Sequence, residues 1–225
     1  MGVIGKEDTN LGKLGPLMRH LADGSGASGR GKSVPAISAI EDAGTVSLRH
    51  LLASTHSLLI LNGQIVGDPV DVRMLEFSQW HFAVAPAAGE ELNTPLRNVV
   101  EPKLIHSIRG IIKSPDDLYE LWMMRTFDFD SAIQRMSVVV FDAMHQRFQS
   151  HLKGAPEIIR RICRPDSIPA NFDEQLHKYT HRGYRVLALA YKLLPGVRSI
   201  AQVLDMSRYY YFLYFTLFGN NCPYT

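Results

Sequence analysis

Arg125-Thr126-Phe127-Asp128-Phe129-Asp130, Ser131-Ala132-Ile133-Gln134-Arg135 and Met136-Ser137-Val138-Val139-Val140-Phe141 follow one another without a break, and their reading decides the fold. The first segment alternates apolar and polar residues with a period of two. The last is a β-branched run of strand length. The stretch therefore predicts two strands joined by a short polar connection. A third extended segment, Gln146 to Lys153, ends at Lys153-Gly154-Ala155-Pro156-Glu157, where a strand gives way to a helix.

That junction has its own chemistry. Gly154 and Ala155 put no bulky side chain between the backbone and a ligand, and Pro156 suits the first turn of a helix whose free N–H groups favour an anion. Lys153 adds a positive charge at the same end, and Phe129 stands where two strands meet a Ser/Gln/Arg-rich connection. Such a pair offers an aromatic face and a cation to a planar, phosphorylated ligand. A plainer arrangement uses the same residues, with Phe129 in the core, Lys153 on a wet edge and Pro156 as a helix start. Spacing alone leaves both open.

The residues themselves add a resemblance. Phe127-Asp128-Phe129-Asp130-Ser131-Ala132-Ile133-Gln134-Arg135-Met136-Ser137-Val138-Val139-Val140, followed by Leu152-Lys153-Gly154-Ala155-Pro156-Glu157, resembles the nucleotide-binding (N) domain of P-type ATPases. The Gln-Arg-Met-Ser-Val form is most similar to the P5 group, and within it to the P5B subfamily of vacuolar or lysosomal transporters. Leu52-Ala53-Ser54-Thr55-His56-Ser57-Leu58 with Val66-Gly67-Asp68-Pro69-Val70-Asp71, and Gly183-Tyr184-Arg185-Val186-Leu187-Ala188-Leu189-Ala190, look like two further segments of that domain in the same order. The likeness covers the chain from about Val46 to Pro195.

The fold expected is α+β, an antiparallel sheet flanked by helices with an ATP site on one exposed side. By the resemblance, Phe129 stacks on adenine, while Lys153 lies beside the ring and reaches toward the phosphates. Arg185 would hold the β-phosphate region and Asp68 and Asp71 the base end, with Gly154, Gln134 and Arg135 completing the site. Gln134 is a departure, because many P-type ATPases carry a lysine at the matching position. ATP and Mg²⁺ are the implied ligands, and the remaining domains of a parent ATPase the implied partners. The family transfers the γ-phosphoryl group to an aspartate on a neighbouring domain and couples this to transport of polyamines or other cations. This chain contains no Asp-Lys-Thr-Gly-Thr and no Thr-Gly-Glu, so it shows only the positioning part of that chemistry. The implied location is the cytosolic side of a vacuolar, lysosomal or other endomembrane transporter, with contact to a membrane only through segments outside this chain. A stand-alone ATP-binding regulatory or interaction module is the alternative, cytoplasmic if the short chain is the whole protein.

Composition sets the outer limits. The chain has 225 residues, enough for one sizeable core, with 46% hydrophobic and 20% charged residues. A net charge of +2 gives no argument for nucleic acid as a partner. Two cysteines, Cys163 and Cys222, lack any paired spacing, which points to a reducing environment without a zinc site or disulfide framework. No apolar run reaches the roughly 18 residues that span a bilayer.

Three units are expected. Residues 1–45 read as a partial hinge remnant and a Gly/Ser-rich disordered loop, with a short helix from Pro16 to Asp23. Gly26-Ala27-Ser28-Gly29-Arg30-Gly31-Lys32-Ser33 matches a phosphate-binding loop letter for letter, yet no strand precedes it and Pro35 disfavours the helix that must follow. Residues 46–195 form the nucleotide-binding domain. Within it a helix is expected from Val46 to Thr55, a hairpin around Asn62-Gly63, and a helix started by Asp68 and Pro69 with Asp71 in its first turn. Trp80 to Val84 reads as an edge strand, and Val99 to Lys113 is open between helix and strand. Further helices run from Pro156 to Cys163 and from Phe172 to Arg182. Asp173, His177 and His181 form a stripe on the second, a solvated face rather than a metal site. Tyr184 to Tyr191 reads as a buried strand whose one charge, Arg185, requires a partner. An acidic side chain and, by the resemblance, a phosphate are the two candidates. Residues 196–225 form an aromatic tail of atypical composition, consistent with a misread exon boundary.

Overall fold

A computed structural model describes residues 2–5, 46, 48–85, 99–206 and 214–220, with the backbone alone for 2–5, 102–103 and 214–220. The short helix, the phosphate-loop-like octet and Cys222 of the sequence reading lie outside these residues. The strands in chain order are β1 (Gly2–Gly5), β2 (Leu59–Leu61), β3 (Gln64–Val66), β4 (His81–Ala83), β5 (Gly110–Lys113), β6 (Glu120–Asp130), β7 (Arg135–Asp142), β8 (Arg147–Gly154), β9 (Arg185–Leu193) and β10 (Tyr214–Asn220). The α-helices are α1 (Leu48–Ser54), α2 (Pro69–Ser78), α3 (Pro156–Ile162), α4 (Phe172–Thr180) and α5 (Ile200–Asp205).

The opening stretch is the middle of the sheet. From β4 to β10 each strand pairs antiparallel with its successor, and β1 adds to the far edge beside β10, giving an eight-stranded sheet. β6 starts five residues before the expected Arg125. Leu121, Trp122, Met123 and Met124 are all buried, so this part of the strand is covered on both faces and shows no alternation. A bulge between Met123 and Arg125 then shifts the pairing with β7.

Alternation along β7 divides the core. Met136, Val138 and Val140 pack with Ala53 of α1 and Leu75 of α2, whereas Val139 and Phe141 pack on the opposite face with Ile200 and Val203 of α5. On that second face Leu152, Ala188 and Ala190 also meet Ile159 of α3 and Phe172 of α4. The architecture is thus the expected α+β one, an antiparallel sheet with helices on both faces. Full burial of a side chain such as Phe141 contributes about 1.5–3 kcal/mol.

Local signals hold where geometry is local. Asn62 and Gly63 take positive φ, 52° and 76°, in the turn between β2 and β3. Asp68 caps α2 by accepting the Val70 N–H at 2.7 Å, with Pro69 at the first helical position. The open segment from Val99 to Lys113 resolves into a 3₁₀ turn, Pro102–Ser107, and then β5. Packing continues beyond residue 196: Ile200 and Val203 are fully buried, and Arg125 Nη1 donates to the carbonyls of Val203, Leu204 and Met206. The backbone of 214–220 then pairs along β9 from Tyr191 to Arg185.

Candidate functional site

Three connections meet at one end of the sheet: the β6–β7 hairpin, the turn from β8 into α3, and the start of β9. Gln134 adopts a left-handed conformation, φ 49°, and its carbonyl accepts the Ala155 N–H at 3.1 Å, which ties the hairpin to the β8–α3 turn. Gly154 is required by that junction. A Cβ there would fall 2.5 Å from the Gln134 carbonyl oxygen and 2.8 Å from Arg135 Cβ. The close approach that this glycine permits is to its neighbouring strand.

An open cleft of about 760 Å³ lies at this end, with Phe129, Gln134, Ala155, Glu157, His177 and Arg185 among its walls. Phe129 is 60% exposed, so the core placement allowed by the sequence does not occur. Arg185 is also exposed. The expectation that it is buried and short of a partner is corrected: β9 begins at Arg185, and the first residue of a strand at the sheet's end keeps its side chain in solvent.

Lys153 reverses the other plain expectation, a wet edge. It is 8% exposed and forms an ion pair with Asp71 of α2, itself 5% exposed. Burial lowers the Lys153 pKa, while the adjoining Asp71 carboxylate opposes that shift. Asp68 supports the ammonium and Arg185 repels it, so these four charges share one neighbourhood. Of the expected site residues, Phe129, Gln134 and Arg185 line the cleft and Asp71 and Lys153 are in contact. Asp68 has its carboxylate on the helix cap, and Arg135 is half-buried beside Gly154.

Two supports escaped the sequence reading. Ser54 Oγ lies 2.6 Å from His151 Nδ1, two residues before Lys153, and Ser57 Oγ donates to Asp128 Oδ1 at 2.7 Å, one residue before Phe129. The last residue of α1 is thereby tied to β8 and the loop that follows it to β6. No signal marks these pairs, which are 97 and 71 residues apart. On α4, Asp173 bonds Arg160 at 2.5 Å and the rings of His177 and His181 meet edge to face at 3.9 Å. Among the described residues, no group of three or more His, Cys, Asp and Glu side chains is arranged to hold a metal ion.

No family model matches the chain. It is 37% identical over 157 residues to "Probable cation-transporting ATPase 13A5" of Homo sapiens, which covers 70% of this chain and 12% of that protein. It is 35% identical over 161 residues to "Polyamine-transporting ATPase 13A2" of Homo sapiens, covering 72% of this chain and 14% of that protein. Similarity extends to "Vacuolar cation-transporting ATPase YPK9" of Saccharomyces cerevisiae, 34% identical over 158 residues and covering 64% of this chain and 11% of that protein. The chain therefore spans between 11% and 14% of the length of these relatives. By these matches, the chain is a homologue, over about 70% of its own length, of one segment of the P5-type ATPases.

Proposed function

We propose that this chain is the ATP-binding domain of a P5B-type ATPase, and that it positions Mg-ATP for phosphoryl transfer to an aspartate on another domain. The observation that carries the reading is an exposed aromatic face, Phe129, and an exposed guanidinium, Arg185, on the walls of one cleft of about 760 Å³. Stacking of a base on an aromatic ring contributes about 1–3 kcal/mol, and a charge-assisted hydrogen bond about 1.5–3 kcal/mol. Those two groups suit the two ends of a nucleotide. In this reading Phe129 carries the adenine, Arg185 takes the β-phosphate region as a bidentate donor, and Gln134 supplies an amide from the hairpin. Asp71 and Lys153 form the firm end of the site near the base, with Asp68, Arg135 and Gly154 shaping its frame.

Mg²⁺ supplies charge neutralisation of the phosphates and binds through oxygens with several waters retained. The carboxylates on the cleft walls are Glu157 and Asp173, and Asp173 is bonded to Arg160. These residues fit an ion carried on the phosphates better than one held in a protein cage. The names of the relatives support cations and polyamines as the transported substrates of a parent pump, and the yeast name supports a vacuolar or other endomembrane site.

Calorimetric titration of the chain with Mg-ATP tests the reading. Saturable binding is expected, weakened on the order of tenfold or more in Phe129→Ala and in Arg185→Ala. A flat wild-type titration, or variants that bind as the wild type does, overturns it. An immunoblot of fractionated native source, using an antibody to residues 125–195, then separates the pump from a stand-alone module. A membrane band far heavier than 25.3 kDa supports the pump, and a soluble band near that mass supports the module.

A further inference from the structure

The cleft has an unequal charge balance for a polyanion. Its lining includes one guanidinium, Arg185, and two carboxylates, Glu157 and Asp173, of which Asp173 is already met by Arg160. Lys153 is not on the cleft wall, because it is buried against Asp71. Gln134, on the hairpin beside Phe129, brings no charge. A triphosphate in this cleft therefore needs a further donor, and α4 presents one.

We propose that His177 is a phosphate-binding residue, acting with Arg185 on the polyphosphate of a nucleotide whose base lies on Phe129. The inference rests on the nucleotide reading above and names a residue that the sequence reading set on a solvated face. His177 and Thr180 bring one side of α4 to the cleft, while Tyr184 and Arg185 bring the start of β9. The His177 ring is exposed but braced, edge to face, by His181 one turn later. Bracing limits the rotamer freedom lost when a ligand is gripped. The Thr180 hydroxyl donates to the Leu176 and His177 carbonyls, so it can only accept from a ligand and does not compete for phosphate.

Imidazole gains its charge between pH 8 and 5, so a histidine that grips phosphate makes affinity proton-linked. The groups around His177 are Asp173, Glu174 and Lys178 on α4, His181 at its C-cap, Glu157 and Arg160 on α3, Tyr184 just before β9 and Arg185 at its start. His177 and His181 are the two imidazoles of this set, and the terminal phosphate of ATP, which itself takes up a proton at about pH 6, is common to every variant, so it is the substitution that assigns a proton link to His177.

Mg-ATP and adenosine titrations of the full chain at pH 6 and pH 8 test this, in the wild type, His177→Gln and His181→Gln. ATP affinity of the wild type should be several-fold higher at pH 6, and His177→Gln should remove most of that difference. Adenosine, which has no phosphate, should bind the wild type and His177→Gln alike. His181→Gln should keep a pH difference in ATP affinity. The inference is overturned if His177→Gln binds ATP as the wild type does at both pH values, if adenosine loses affinity equally, or if only His181→Gln abolishes the pH difference. Because His177 is exposed, near-ultraviolet circular dichroism should show all variants folded. A wild type that binds no nucleotide removes the nucleotide reading and this one together. Loss of binding in Phe129→Ala with no effect of His177→Gln removes this one alone.

Discussion

Lys153 of β8 and Asp71 of α2 form a buried ion pair across 82 residues of sequence, and this pair fixes the helix to the strand at the firm end of the candidate site. Removing one partner of a buried pair leaves an uncompensated charge, which costs about 3–5 kcal/mol, whereas replacing both with apolar groups is often neutral. Asp71→Asn should therefore lower stability on the order of 3 kcal/mol, and Asp71→Leu with Lys153→Met should recover most of it. Urea midpoints read both values. Additive losses in the double variant would show that the two groups do not interact.

Phe129 separates stability from binding. A side chain that is 60% exposed contributes little to the core, so Phe129→Ala should change stability by no more than about 0.5 kcal/mol. Its nucleotide affinity should nevertheless fall. A melting temperature several degrees below that of the wild type would return Phe129 to a structural role.

Gly154→Ala should fail for a different reason. The added methyl would meet the Gln134 carbonyl and the Arg135 side chain, forcing the β7 and β8 ends apart at a cost of about 1–3 kcal/mol. The loss should appear in thermal unfolding without any ligand present. A fully stable variant would mean that the junction yields, and that only a ligand's approach needs the glycine.

Acid should unfold the domain through its buried histidines. Burial lowers His50 to about 4 and His56 to about 3, with the nearby Lys153 charge adding to the His56 shift, and it holds His151 well below 6.5. Each folded pKa lies below the unfolded one, so unfolding takes up protons between those values. Stability is then full above about pH 6.5 and drains as pH falls toward the folded pKa; His50 alone accounts for about 3 kcal/mol at pH 4. His50→Phe preserves ring contact with Trp80 and Tyr119 and should flatten the decline of the urea midpoint between pH 6.5 and 4. An unchanged slope would show that other groups carry it.

Asp142 is the other buried charge on which the sheet depends. It is fully buried and accepts from Tyr119 Oη at 2.7 Å, Gln149 Nε2 at 2.9 Å and Arg147 Nε at 3.3 Å, with His145 Nδ1 at 2.8 Å. Asp142→Ala should cost about 3–5 kcal/mol and Tyr119→Phe about 1 kcal/mol. Equal losses in denaturant unfolding would mean that the tyrosine bond, rather than the carboxylate, is central.

The strands from Arg125 to Lys153, the Asn62-Gly63 turn and the Asp68-Pro69 helix start were legible in the sequence because period, turn chemistry and caps are local. Residues 120–124 were not, since a strand buried on both faces carries no alternation to read. The site divided the same way. Phe129, Lys153 and Arg185 could be picked out as residues of suitable chemistry by their setting and resemblance. Their surroundings could not: Arg185 stands exposed because its strand begins there, and Lys153 is sealed because α2 lays Asp71 across it. Those outcomes depend on contacts between segments tens of residues apart, where burial and pairing are properties of the packed chain. Short-range pattern therefore determined where the central strands and turns lie, whereas the strand order, and which charges face water and which face each other, were decided only when distant segments paired and the helices closed on the sheet.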